Sequence, residues 1–414
     1  MVFNKVKGST DFYPKDKYIQ NEIFSNFLKT ARRFSFNEVE SPAFEYMNLL
    51  TKKSGEEIKT QIFNLEKKSK EELGLRFEFT ASLARMFIAK QKEIPKPVKW
   101  FSIGRVWRYE LPQAGRLREF YQYNVEIFGS KKPECDAEVI NLAIESLLSL
   151  GLVKKDFFVN INNRKLIQGL LLDIVNKKDL EKVLRVIDKR SKISEKVFKE
   201  ELSFLSKDKI KLILELLNFS FEDLEKYEMN DSARQGYDEL KNILKYLDEN
   251  IVKFDLGTVR GLAYYTGTVF EIFDTKQKYR ALAGGGRYDD LIELFEGQNA
   301  GATGFGMGYS TVSLLLKEKG LLPTNFVGPK YFVAIVDEVR TEAIKFISKL
   351  RKKYSVEYDL NSRNLGNQFK YANSINSENI IVFGPDELKK GQVKVKNLNS
   401  GKEKVVKIDV LLKN

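Results

Sequence analysis

After Pro14, apolar and aromatic side chains recur at Tyr18, Ile19, Ile23, Phe24, Phe27 and Leu28, the spacing of one helical face, so an amphipathic helix is predicted there. Residues 36–44 then run as an extended segment toward Glu40-Ser41-Pro42, and the proline confines it to a sheet edge or a strand end. Residues 62–65 and 75–79 read as paired strands with the charged stretch 66–72 as their turn, and a helix is expected from Ser82. A second, longer strand pair is predicted over 98–109 and 119–128, around the loop Leu111-Pro112-Gln113-Ala114-Gly115-Arg116. From 164 to about 247 helical periodicity takes over, with frequent lysine and no proline between Pro133 and Pro323, which reads as a helical insertion. Strand-like sequence returns at Phe254 and at 269–273, and two glycine-dense segments, 281–286 and 301–308, follow beside predicted helices. The stretch 323–329 reads as a boundary. Beyond it strand, helix, strand, helix, strand follow at 331–336, 341–352, 356–360, 367–375 and 380–383, the alternation of a small α/β domain with parallel strands and right-handed crossovers.

Composition narrows the chemistry. Among the 414 residues there is one cysteine, Cys135, and no histidine, so an internal disulfide is excluded, a structural zinc site of Cys and His ligands is effectively excluded, and histidine acid–base chemistry is ruled out. Catalysis must rest on carboxylates, arginines, amides and tyrosines, with Mg²⁺ as the available ion. No run approaches the roughly 18 apolar residues that cross a bilayer, and the N-terminus lacks a secretory pattern, so a cytoplasmic location and no membrane partner are expected. The net charge of +13 attracts polyanions, although a solvated lysine-rich surface produces the same number.

Five segments carry candidate chemistry. Arg108, Arg116 and Arg118 flank the Pro/Gly loop between the long strands, and arginine grips phosphate oxygens bidentately; an ordinary hairpin with surface arginines is the bland alternative. Gln122, Asn124 and Glu126 share one face of a strand, either solvated or lining a pocket for a small polar ligand. Arg260 stands among apolar and aromatic residues in Val259-Arg260-Gly261-Leu262-Ala263-Tyr264-Tyr265, where a lone charge is costly and a bound anion would be its partner. Ala283-Gly284-Gly285-Gly286-Arg287-Tyr288-Asp289 suits either a turn or close backbone approach to a ligand. Gly304-Phe305-Gly306-Met307-Gly308 suits a strand under a flat ligand or one that is simply tightly packed.

In this order the segments resemble the histidyl-tRNA synthetase family along essentially the whole chain. Glu40-Ser41-Pro42 resembles class II motif 1, the stretch from Arg108 to Phe128 motif 2, and Gly304 to Gly308 the start of motif 3. Arg260-Gly261-Leu262-Ala263-Tyr264-Tyr265 and Gly285-Gly286-Arg287-Tyr288-Asp289 resemble the histidine-specific signatures. The resemblance implies an α+β class II synthetase core, an antiparallel sheet flanked by helices, over 1–325 with the helical insertion at about 165–248. A C-terminal α/β anticodon-binding domain would occupy 326–414.

The same resemblance implies ATP-dependent ligation of L-histidine to tRNA(His) through a histidyl-adenylate, with Mg²⁺, in a homodimer. Arg108 and Arg260 are then the catalytic cations, and Glu78, Thr80, Gln122, Glu126, Tyr264 and Tyr265 hold histidine. Arg108, Arg116, Gly306 and Gly308 bind ATP, and Gln113 and Arg116 meet the tRNA acceptor end. Three positions depart from the family pattern: Thr311 stands where motif 3 has arginine, Ala263 where the signature has aspartate, and Leu111 where an arginine is common. Loss of one charge-assisted phosphate contact costs on the order of 1.5–3 kcal/mol, and Arg287 is the neighbouring candidate to restore it. Two other readings stay open: a non-catalytic histidine sensor similar to the regulatory subunit of ATP phosphoribosyltransferase, and a non-catalytic tRNA-binding module.

Overall fold

A computed structural model of the chain describes residues 3–53, 56–67, 70–113, 115–190, 193–260 and 264–413. The chain divides into two compact units, Met1–Leu322 and Pro323–Asn414.

In the first unit the strands are β1 (Asn37–Glu38), β2 (Phe44–Tyr46), β3 (Leu73–Leu75), β4 (Val98–Trp107), β5 (Glu119–Phe128), β6 (Phe157–Asn163), β7 (Val252–Phe254), β8 (Thr268–Asp274), β9 (Ala283–Arg287) and β10 (Ala302–Gly308). Eight of them form one sheet in the order β1-β4-β5-β10-β9-β8-β6-β7, and β2 pairs with β3 alone. The sheet is antiparallel except at its two edges, where β1 runs parallel to β4 and β7 parallel to β6. The predicted long strand pair is β4 and β5, in register from Val98↔Phe128 to Trp107↔Glu119.

The predicted first helix is Pro14–Arg33, with proline at its start, where the missing N–H costs nothing. Together with the helix Pro133–Leu148 it belongs to the main core, which also takes Tyr123, Val125, Ile127 and Phe305 from the sheet. Phe27 stacks on Tyr123 with ring centroids 4.9 Å apart. Full burial of such side chains stabilises by roughly 1.5–3 kcal/mol each, so this layer holds the sheet rigid beneath the opposite, polar face. The insertion is helical as read: Arg164–Leu172, Lys177–Ile187, Glu195–Glu201, Lys207–Leu216, Phe221–Glu225 and Asp231–Leu244. Ser194, Ser206, Ser220 and Asn230 cap four of these helices through side-chain oxygens that accept backbone N–H bonds.

Three local expectations need correction. The strand expected over 75–79 ends at Leu75 and takes β2 as its main partner, while residues 62–65 touch it through the single bridge Asn64↔Gly74. The following helix starts at Thr80, two residues before Ser82. The glycine run 284–286 is no turn; it is the body of β9, paired on both sides by β8 and β10.

The second unit holds β11 (Tyr331–Ile335), β12 (Val356–Tyr358), β13 (Asn379–Phe383), β14 (Gln392–Asn397) and β15 (Glu403–Lys407), ordered β12-β11-β13-β14-β15. The first three are parallel, as the alternation requires. The antiparallel hairpin β14–β15 was not anticipated.

Candidate active site

The polar face of β5 carries a hydrogen-bonded row. Gln122 Nε2 donates to Asn124 Oδ1 at 3.0 Å, and Asn124 Nδ2 donates to Glu126 Oε1 at 2.7 Å. Thr80, first residue of the helix Thr80–Lys90, adds its hydroxyl to the same Glu126 oxygen at 2.8 Å. The second oxygen, Oε2, is buried and has no hydrogen-bond partner among the described residues. Burial pushes the Glu126 carboxyl up to about 8, although the bonds from Asn124 and Thr80 pull the other way.

The strand next to this row is made of glycine for a steric reason. Register pairs Gly304 with Glu126, Gly306 with Asn124 and Gly308 with Gln122. A Cβ on Gly304 would lie 2.1 Å from Glu126 Oε2, and one on Gly284 would lie 2.4 Å from Arg260 Nη1. The glycines leave room for charged side chains of neighbouring segments, the close packing that the sequence offered beside a flat ligand for residues 304–308.

Above this floor opens a cavity of about 230 Å³. Glu78, Thr80, Arg108, Arg116, Gln122, Arg260, Tyr264, Tyr265, Gly306 and Gly308 all line it, although they come from segments far apart in the chain. Glu126 lies just below the lining, joined to it through Thr80 and Asn124. Gln113 is outside, exposed at the tip of the β4–β5 loop, where its backbone exchanges two 2.9 Å bonds with that of Arg116.

Electrostatically the cavity is a cluster of guanidinium groups over buried carboxylates. Arg108 follows β4, donates from Nε to the Phe77 carbonyl at 3.1 Å and lies over the Phe120 ring. Burial lowers its pKa, against the attraction of Glu78. Arg260 adopts the left-handed backbone region, with φ of 54°, which is uncommon for a residue other than glycine. Its Nη1 donates to Glu271 on β8 at 2.5 Å, so the expectation that this charge lacks a protein partner is corrected. Burial works against the Arg260 charge, but Tyr265 and Glu271 outweigh it and raise its pKa. Its Nε remains buried without a partner among the described residues. Tyr264 and Tyr265 pack ring to ring at 4.6 Å, and burial raises both phenols. Glu78 is ion-paired with Lys53, whose buried ammonium also lies 4.0 Å from the centre of the Tyr264 ring.

The family model described as Histidyl-tRNA synthetase matches residues 8–312, and one described as Anticodon binding domain matches residues 328–414. This chain belongs to the histidyl-tRNA synthetase family. Its relatives include histidine–tRNA ligases of Haloarcula marismortui, 37% identical over 97% of this chain and 95% of the relative, and of Natronomonas pharaonis, 38% identical over the same shares. Among solved structures, the histidyl-tRNA synthetase of Nostoc sp. PCC 7120 shares the fold with a TM-score of 0.81, at 23% identity over 100% of this chain and 99% of that one.

Against the family pattern, Thr311 lines the cavity in the first turn of the helix Tyr309–Glu318, and its hydroxyl turns back to donate to the Gly308 carbonyl at 3.1 Å. Arg287 does not replace the missing arginine. It is buried, with Nε on Asp136 at 2.8 Å, Nη1 on Asp289 at 2.9 Å and further bonds to the carbonyls of Ser130 and Lys132, and it is absent from the lining. Leu111 is exposed, and Ala263, with Gly261 and Leu262, lies outside the described residues.

Sequence reasoning missed four participants. Glu271 is a lone charge in the apolar run 269–273, Lys53 and Glu110 are single charges among others, and only the fold shows that they pair with Arg260, Glu78 and Arg116. Arg280 also lines the cavity; its position just before the glycine run was the available signal.

Proposed function

We infer that this chain ligates L-histidine to tRNA(His) in two steps: the histidine carboxylate displaces pyrophosphate from ATP to give histidyl-adenylate, and a terminal ribose hydroxyl of the tRNA then displaces AMP. The observation that carries the reading is Glu126 Oε2: a buried, unpartnered carboxyl oxygen beneath a cavity lined by guanidinium groups. An imidazole supplies the hydrogen bond that oxygen lacks, and an apolar side chain would leave it orphaned, at a cost of about 1–3 kcal/mol. Tyr265 holds the second ring nitrogen, while Glu78, with Thr80 and Gln122 beside it, receives the α-amino group. Tyr264 walls the slot.

Attack of the histidine carboxylate on the α-phosphorus builds negative charge, and preorganised donors aimed at such charge typically contribute about 3–4 kcal/mol each. Arg108 and Arg260 are these donors; both are already fixed by protein bonds, so little reorganisation is needed as the charge forms. Gly306 and Gly308 floor the nucleotide, and Arg116 meets its phosphates. Mg²⁺ binds through one or two carboxylates plus phosphate oxygens, and Glu110, the lining carboxylate ion-paired with Arg116, would be the residue to hold it beside the nucleotide. When bound, the ion neutralises phosphate charge. Gln113, exposed on the loop tip, meets the acceptor end of tRNA in this reading, and the 328–414 region reads the anticodon. The enzyme is read as a cytoplasmic homodimer; among the described residues no helix is long and apolar enough to cross a membrane.

The test is aminoacylation of a tRNA(His) transcript by the purified chain with histidine, ATP and Mg²⁺, where charging is expected. Histidine binding without charging would support the sensor instead, and tRNA binding without histidine binding would support a non-catalytic RNA module.

A further inference from the structure

We propose that Arg280 is a phosphate-binding residue of the nucleotide site, gripping the outer phosphates of ATP from the loop between β8 and β9. The proposal rests on the reading of the cavity as the ATP site.

Four guanidinium groups line this cavity. Arg260 is tied to Glu271, Arg116 to Glu110, and Arg108 to the Phe77 carbonyl. Arg280, exposed at the cavity's edge, lines the same space and has no hydrogen-bond or ion-pair partner among the described residues. Arg116 feels its charge: burial first, then Arg280 and Arg108, lower the Arg116 pKa. Like charges held side by side repel, and a polyanion between them turns the repulsion into attraction. A guanidinium is suited to that anion because its fork of donors matches two phosphate oxygens at once.

The loop is built as a fixed arm. The Asp274 carboxylate accepts the backbone N–H groups of Lys278 and Tyr279, both at 3.0 Å. The Tyr279 hydroxyl and the Lys278 ammonium then bond Glu318, each at 2.7 Å. Glu318 ends the helix whose first turn carries Thr311. On the far side, Leu282 N–H bonds the Ile272 carbonyl at 2.7 Å, and Gly308 N–H bonds the Leu282 carbonyl at 3.1 Å. The loop that carries Arg280 is thus anchored, through Lys278 and Tyr279, to a helix that presents only the short, uncharged Ser310 and Thr311 to the cavity. A cation absent from the helix is delivered by the neighbouring loop.

The test is histidine-dependent exchange of pyrophosphate into ATP by the full chain. Arg280→Ala should raise the KM for ATP about ten- to a hundredfold at saturating histidine, with the histidine KM within about twofold of the parent. Binding of inorganic pyrophosphate should weaken in parallel, and binding of adenosine should not. Arg280→Lys should fall between, and adding Thr311→Arg to Arg280→Ala should recover most of the loss. An unchanged ATP KM in Arg280→Ala, or equal losses for ATP and histidine, overturns the role of Arg280 while leaving the ligase reading intact. No exchange by the parent chain overturns the reading of the cavity and the proposal with it.

Discussion

A carboxyl group enclosed away from water holds its proton more tightly than one in an unfolded chain, and Glu126 is the clearest case here, at about 8 against an ordinary 4.5. Below about 4.5 both the folded and the unfolded chain carry this proton. Between there and about 8 only the folded chain does, so the contribution of Glu126 to stability falls as pH rises through that window. Glu126→Gln keeps an oxygen for Thr80 and Asn124 but cannot ionise. Urea midpoints should therefore show the variant at least as stable as the parent at pH of about 8.5, while its KM for histidine rises about tenfold or more. A variant that loses stability at that pH would mean the row on β5 is structural first. Lys53 makes the opposite case. Removing it leaves Glu78 buried without its cation, so Lys53→Ala should cost about 3–5 kcal/mol in denaturant unfolding. Nothing in the run Thr51-Lys52-Lys53 announces this, because the lysine acquires its role only when the segment before Glu78 folds over it.

At the scale of elements, alternation and periodicity were legible and glycine was not. Strands β4 and β5, the first helix and the insertion follow from their hydrophobic spacing, which burial against a single core enforces. Strand β9 does not, because glycine has little strand preference of its own, whereas Gly304 to Gly308 of β10 read as a strand; what holds both in the sheet is pairing on both sides and the need of Glu126 and Arg260 for space. Gly304→Ala is expected to cost about 1–3 kcal/mol by overpacking and to lower the exchange rate, since the new methyl meets Glu126 Oε2 and the Val125 carbonyl. Unfolding and exchange measured on the same preparation check both halves. The β14–β15 hairpin was readable after all: Val393 and Val395 alternate with lysines, and Ser400-Gly401 mark the turn, with Gly401 at a φ of 71°. Its apolar face is only two residues long, which made the signal short.

For the whole molecule, what no local pattern shows is convergence. Glu78, Arg108, Gln122, Arg260 and Gly306 meet in one cavity because β5, β10 and β9 are adjacent in the sheet, an adjacency set by topology rather than by chain order. The motifs carried that information only through their order and their family resemblance. The net charge of +13 belongs to this scale as well. Binding of tRNA should weaken at least about tenfold between about 50 and about 200 mM salt as counterions compete for its phosphates, whereas the histidine KM should hardly change. A salt-insensitive tRNA affinity, by titration, would count against a charge-steered surface. The central claim is that one cavity holds a nucleotide and an imidazole side by side. It is tested most directly by pyrophosphate exchange into ATP with each of the twenty amino acids in turn. Exchange with histidine alone is the expected result, and exchange with another amino acid, or with none, would contradict it.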